Sequence, residues 1–353
     1  VVIVQDGRNT VRTRLGGTVY RRKSDMNWIS RAAAGLFALS FIIATAGAAE
    51  INWDMANEYN DTSIHAEGDK VFAKALEEKS GGKIKITHHF GGSIGFKSKD
   101  QLDAVGDGAL PIADTYVGPL GGINPMFLLP SLPFVAATPE DARRLYEIAK
   151  PQYEAIFDAN NQKLLYSSPW PPSGIWAKKP VDSKGALTNL KIRTYDANGT
   201  VTLKEAGAAP IQLSWADVVP QLSTGGISAV LTSAEGGTNA KFWEHLSHFT
   251  EVNYAMPLNM VHINKDVWNG LSPELQKAVM EAAKVAEDRN WNAVKARVAQ
   301  NYSDMKANNM TVVQGVSAEF LGELNTAGQK ALASWLEKTG DTGKAIMDAY
   351  NKK

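Results

Sequence analysis

The sequence predicts an α/β protein with more than one lobe. Strand, helix and strand follow one another repeatedly along the chain. Its 353 residues, 44% of them hydrophobic, suffice for more than one core. A single helical pattern, opened by Ser272 and Pro273, is long enough to run along two lobes.

Ile51, Trp53 and Met55 alternate with polar residues at the two-residue period of a strand. After a polar loop at 57–61, Ile64, Gly68, Val71, Phe72, Ala75 and Leu76 repeat at helical spacing. Gly81 and Gly82 stop that helix by allowing a left-handed cap. Residues 83–87 alternate as a second strand. Such units build parallel sheets, with ligand sites outside the strand ends. Residues 100–107 read as a helix and 110–115 as a strand. Thr138 to Asp141 place a cap, a first-turn proline and acids at the start of a helix that runs to about residue 160. The strand at 163–168 leads into Pro169, Trp170, Pro171 and Pro172, a stiff stretch suited to a crossover between lobes. Further strands are expected at 175–177, 191–194, 210–213, 228–232 and 258–263, with a helix at 198–206. Ser214 to Asp217 read as a capping box for a helix that Gly225 and Gly226 end. The long helix buries Leu275, Val279, Ala282, Ala286, Val294, Val298 and Met305. It would extend about 50 Å at ~1.5 Å per residue. A strand at 310–313 and two closing helices complete the chain.

Composition removes several function classes. There is no cysteine, hence no disulfide, thiolate nucleophile or thiolate metal site. Residues 1–48 carry seven of the 37 basic residues and two of the 37 acidic ones, so the remainder is mildly acidic. That argues against a nucleic-acid partner, whose phosphates need a basic face. The basic excess belongs to a secretory signal peptide at 26–48. Met26 and Arg31 precede an apolar run at 32–44, and Ala46, Gly47, Ala48 and Ala49 form a small-residue cleavage pattern. Without a cysteine there, the lipoprotein variant is ruled out. Residues 1–25 are expected to be an upstream extension.

Catalytic signals are weak. No phosphate loop or zinc-protease motif occurs. His245 and His248 are spaced to share a helix face, while His88 and His89 point to opposite faces of a strand. Binding signals are stronger. Arg193 sits in a short apolar strand beside expected interlobe loops, where a guanidinium can grip a carboxylate through two parallel bonds. A structural salt bridge is the other reading of that arginine. Tyr59, Phe96, Tyr116, Trp170, Trp176 and Trp215 lie near turns and strand ends, as pocket walls or as core.

From residue 50 to the end, the chain resembles TRAP-transporter solute-binding proteins of the DctP type. The resemblance rests on residues 71–86, Gly91 to Gly95, Leu132 to Phe134, Leu190 to Arg193, Gly207 to Pro210, and 271–279. It implies a two-lobed periplasmic-binding-protein fold with hinge strands and a long helix spanning both lobes. The expected lobes are 49–170 with 257–300, and 171–256 with 301–353. A small organic acid would be enclosed by hinge closure and delivered to a small and a large integral membrane subunit. No cofactor, metal or catalysis is implied, and the receptor would act as a periplasmic monomer.

By the same resemblance, Arg193 holds the ligand carboxylate, Glu58 and Tyr59 lie near the ligand, and Trp215 packs on it. Departures from the family pattern share a direction. Phe96 stands where sugar-acid binders are polar. Tyr116 stands where some relatives are charged, and Trp176 where some carry a second arginine. Asp196 replaces a frequent Asn, and Thr232 with Ser233 replaces another. One anchored charge among aromatic walls suits an aromatic or apolar monocarboxylate. A second polar end would stay poorly paired, at about 1–3 kcal/mol per group. Other readings are a receptor for a dicarboxylate or sugar acid serving a sensor or ABC transporter, and a secreted enzyme.

Overall fold

The computed structural model describes residues 50–352. The expected signal peptide and upstream extension lie outside the described residues.

Two sheets organise the molecule. The first contains β1 (Ile51–Asn57), β2 (Ile84–His89), β3 (Ile112–Tyr116) and β4 (Gln162–Pro169). The second contains β5 (Ser173–Ala177), β6 (Lys191–Thr194), β7 (Ala209–Gln212), β8 (Ala229–Ser233) and β9 (His248–Thr250). The chain then returns as β10 (Leu258–Asn264) to the first sheet and as β11 (Thr311–Val313) to the second. The strand orders are β2-β1-β3-β10-β4 and β11-β9-β5-β8-β6-β7. In the first sheet β1 runs parallel to β2 and β3, while β10 is antiparallel to β3 and β4. In the second, β6 is parallel to β7 and β8, and β5 is antiparallel to β8 and β9.

The chain passes between the sheets from β4 to β5 and from β9 to β10. These two segments bond to each other. Trp170 N donates to Pro257 O, and Ser173 N to Ala255 O, both at 2.9 Å. A paired crossover of this kind can bend as one unit. Helix Pro273–Ala307 supplies the third connection. Ser272 caps it by accepting from Leu275 N. Val279, Ala282 and Ala286 pack behind the first sheet, and Met305 joins the core of the second.

Local chemistry explains the ends of most elements. Ser63 caps helix Ile64–Lys79, and Thr138 caps helix Pro139–Ala159. The capping box expected at Ser214 does not form. Residues Trp215–Asp217 make a single 3-10 turn, and the helix proper is Val218–Thr224, ended by Gly225 at φ 74. The box loses its parts to other partners: Asp217 pairs with Lys97, and Ala216 N–H is aimed at Glu58. His245 and His248 do not share a helix face, because His248 begins β9. The closing helix, Ala318–Asn351, breaks at Gly340 and contributes to two hydrophobic cores. Phe320 and Leu324 enter the second core, whereas Trp335, Ile346 and Tyr350 enter the first.

Candidate functional site

The carboxyl ends of β1, β3, β6 and β8 converge on one cavity, where open α/β sheets place their ligands. Tyr59 follows β1 and Tyr116 ends β3. Trp170 and Pro257 lie on the paired crossover. From the second sheet come Ser173, Arg193, Tyr195, Trp215, Thr232 and Ser233. The space within this lining, counting what is open to solvent, is about 290 Å³. A wider opening flanked by Glu58, Lys99, Pro119 and Gln212 also reaches Arg193.

Arg193 is 3% exposed. Its Nε and Nη2 donate to Leu213 O at 3.1 and 3.0 Å, which fixes the plane of the guanidinium. Nη1 has no hydrogen-bond partner, and no carboxylate pairs with the side chain, among the described residues. The internal salt bridge weighed from sequence is therefore absent there. Burial pulls its pKa down, opposed by Tyr59, Tyr116 and Glu58. A cation removed from water without a counter-ion is costly, and an anion beside Nη1 would offset that cost.

Aromatic rings wall the cavity. Tyr59 packs on Trp170 at 4.6 Å and 65°, and on Trp215 at 5.7 Å. Tyr116 meets Tyr195 edge-on at 5.9 Å. The Arg193 guanidinium lies 5.6 Å from the Trp215 ring and 5.9 Å from Tyr195. Behind Trp170, His65 packs at 4.0 Å with its ring tilted by 38° and is held neutral, its pKa pulled down to about 3 by burial.

Of the residues singled out from sequence, Arg193, Trp215, Tyr116, Tyr59, Ser233 and Trp170 line this cavity. Four do not. Trp176 is wholly buried on the opposite face of β5, against Phe242 and Phe249, with its Nε1 donating to Ser233 O at 3.1 Å. Gly237 roofs it so closely that a Cβ there would fall 2.1 Å from the ring. Phe96 packs beside Ile94 against Ala56, Val105 and Ala113. Asp196 caps helix Ala197–Glu205 through Gly199 N at 3.0 Å and accepts from Tyr116 OH at 3.2 Å. Burial raises its pKa, with these donors and Arg193 working against the shift. Glu58 stands at the opening, accepting from Ser98 N at 2.9 Å and facing Ala216 N at 3.4 Å.

Sequence reasoning missed Tyr195, Ser173 and Pro257. Tyr195 was within reach, because residues two apart on a strand share a face and Arg193 is already there. Ser173 and Pro257 depend on which crossover segments pair, and no local pattern encodes that.

Several polar contacts join the two sides around the cavity. Lys97 Nζ meets Asp217 at 3.2 Å. Asn60 Nδ2 donates to Asn239 O at 3.0 Å, and Ile64 N to Glu235 Oε1 at 2.8 Å. Glu235 is fully buried and also accepts from Asn301 Nδ2 at 2.9 Å, with Arg297 3.7 Å away.

A family profile described as "DctP: Bacterial extracellular solute-binding protein, family 7" matches residues 55–339. Among solved structures, one similar protein is a TRAP solute binding protein specific for pyroglutamate, from an unidentified microbe of a marine metagenome, holding co-purified pyroglutamate. It is 34% identical with a TM-score of 0.82, covering 86% of this chain and 100% of that one. A Bordetella pertussis extracytoplasmic solute receptor binding pyroglutamic acid is 28% identical with a TM-score of 0.82, covering 85% and 99%. The ectoine/5-hydroxyectoine-binding periplasmic protein UehA of Ruegeria pomeroyi is 26% identical over 329 residues, 90% of this chain and 93% of that protein.

Proposed function

The chain belongs to bacterial extracellular solute-binding protein family 7, the extracytoplasmic receptors of TRAP transporters for small organic acids, and we propose that it captures a compact ring monocarboxylate of the pyroglutamate type. The family is one of substrate-binding receptors, not of enzymes, so the secreted-enzyme reading falls away. Its members are periplasmic binding proteins, which fits the export signal expected at 26–48.

The observation that carries the ligand reading is the buried, unpaired guanidinium of Arg193 at the wall of a small aromatic cavity. One carboxylate satisfies that charge through Nη1 and the free hydrogen of Nη2. The rings of Tyr59, Trp170 and Trp215 then cover an apolar ring face. Ser173, Tyr195 and Thr232 offer hydroxyls to a lactam group. The close packing of Tyr59 on Trp170 and Trp215 favours a compact ring over a larger aromatic body or a sugar acid. Among the described residues Arg193 is the only basic side chain of the inner lining, with Lys99 at the wider opening, so a dicarboxylate would lack a second cation inside the cavity.

On this reading the lobes carrying the two sheets close over the acid by bending at the paired crossover. The closed receptor then presents it to a small and a large membrane subunit. The test is thermal unfolding and calorimetry of the purified protein with pyroglutamate, ectoine, benzoate, glutarate and glucuronate. Pyroglutamate should raise the midpoint most, because a ligand at 100 times its Kd stabilises the fold by about 2.7 kcal/mol. Folded protein that ignores pyroglutamate and ectoine but responds to glutarate or glucuronate would falsify the proposal.

A further inference from the structure

We propose that Asp69 and Asp114 form a proton-sharing carboxyl pair that positions two walls of the ligand cavity, Tyr59 through Asn57 and Trp170 through Asn259. Both aspartates are fully buried, behind the cavity rather than in it. Asn57 Nδ2 donates to Asp69 Oδ2 at 2.8 Å and to Asp114 Oδ2 at 3.0 Å, so one amide spans the pair. The Oδ1 of that amide accepts the backbone N–H of Tyr59 at 2.8 Å and fixes the turn that delivers the phenol. Asn259 Oδ1 accepts from Trp170 Nε1 at 2.8 Å. Its Nδ2 and Asp114 Oδ1 are both buried and, among the described residues, form no hydrogen bond, and the Asn259 amide favours the charged form of Asp114. Tyr166 OH donates to Asp69 Oδ1 at 3.0 Å and closes the network.

Two adjacent carboxylates cannot both stay ionised in an apolar interior. Lys70 acts on Asp69 only through space. Tyr59 and Tyr166 are the other titratable groups facing the pair, and Tyr166 is in turn near Glu287. Burial raises both aspartates, that of Asp69 to about 6, and Asp69 raises Asp114 further. One proton held between them makes a charge-assisted bond, while Asp69 Oδ1 and Oδ2 keep Tyr166 and Asn57 as donors and Asp114 Oδ1 has no other partner among the described residues. Asp69 and Asp114 are positioning residues: neither lines the cavity.

Each folded pKa lies above its unfolded value, so folding takes up protons. The stabilisation is complete below the unfolded pKa and is lost as pH rises through the folded one. Asp114→Asn keeps the shape and a hydrogen to share while removing that uptake.

The test uses the full chain without ligand, so it can fail independently of the ligand reading. Thermal midpoints of wild type and Asp114→Asn are compared from pH 5 to pH 8. Hydrogen exchange is followed by NMR at the Tyr59 amide and the Trp170 indole, with the Leu231 amide as a control in the second sheet. The midpoint difference is expected to grow in favour of Asp114→Asn as pH rises, with protection at both probes retained. Asp114→Val is expected to lower protection at both probes at least tenfold and spare Leu231. Should Asp114→Val not fold, Asn57→Ala and Asn259→Ala replace it, each releasing its own wall. Parallel pH profiles overturn the shared proton. Unchanged protection at Tyr59 and Trp170 in the valine or alanine variants overturns the positioning role.

Discussion

Arg193 is held in the cavity wall by a single carbonyl, that of Leu213, and among the described residues no carboxylate pairs with it. A residue kept for stability would not be left this way. Replacing a buried, unpaired cation by an apolar side chain of similar length is often neutral or stabilising. Arg193→Met should therefore leave the ligand-free thermal midpoint unchanged or higher. It should also weaken acid binding by about 3 kcal/mol or more, a hundredfold or greater, since charge-assisted bonds contribute about 1.5–3 kcal/mol each. Calorimetry and thermal scans on the same preparation check both halves, and a destabilised variant with intact affinity would mark the arginine as structural. The two tryptophans divide the other way. Trp215→Ala is expected to weaken ring acids more than acetate, whereas Trp176→Ala should cost about 3–5 kcal/mol of stability without changing that preference. Most of the cavity lining was legible from sequence because bulky residues beside strand ends have few other places to go. Trp176 was misread because alternation puts it opposite Ser173, and the sequence does not say which face of β5 the helix Ala234–Asn239 covers.

Helix Ala234–Asn239 begins one residue beyond the cavity wall at Ser233, and it carries the buried carboxylate of Glu235. That carboxylate accepts the first N–H of helix Ile64–Lys79, which starts in the opposite lobe. A negative group at a helix N-terminus is favoured by the exposed N–H groups and the helix dipole. Glu235→Gln keeps the size but weakens this contact and the attraction to Arg297. Its expected effect is a dissociation rate for pyroglutamate faster by roughly tenfold, corresponding to about 1–2 kcal/mol. Stopped-flow release measures it, and an unchanged rate would mean the contact plays no part in holding the lobes together. Elements with local signals were readable: the Ser272 cap and the apolar stripe gave the long helix almost to the residue. The Ser214 box failed because its groups are claimed across the gap by Lys97 and Glu58, partners far away in sequence. β9 was missed because three residues carry too short a pattern.

His65 and His262 are buried and neutral, each with a pKa pulled down to about 3. A depressed folded pKa gives stability that is present above the unfolded value near 6.5. It is lost as pH falls toward 3, at about 1.4 kcal/mol per pH unit for each group. Asp69 and Asp114 act in the opposite sense. His262→Gln should accordingly flatten the fall of the thermal midpoint between pH 6.5 and 4.5, and a profile parallel to wild type would contradict the assignment. The two-lobed architecture was legible in the recurring strand-helix units and the family resemblance. The sharing of the closing helix between both cores was not, because it depends on how the lobes meet. Closure itself should appear in small-angle scattering as a smaller radius of gyration once pyroglutamate is added, with no change on adding glucuronate. The most direct measurement is a crystal structure of the acid-bound protein. A carboxylate oxygen is expected about 2.7–2.9 Å from Arg193 Nη1, with the ring of the acid between Trp170 and Trp215. An acid bound elsewhere, or one whose carboxylate turns away from that guanidinium, would contradict it.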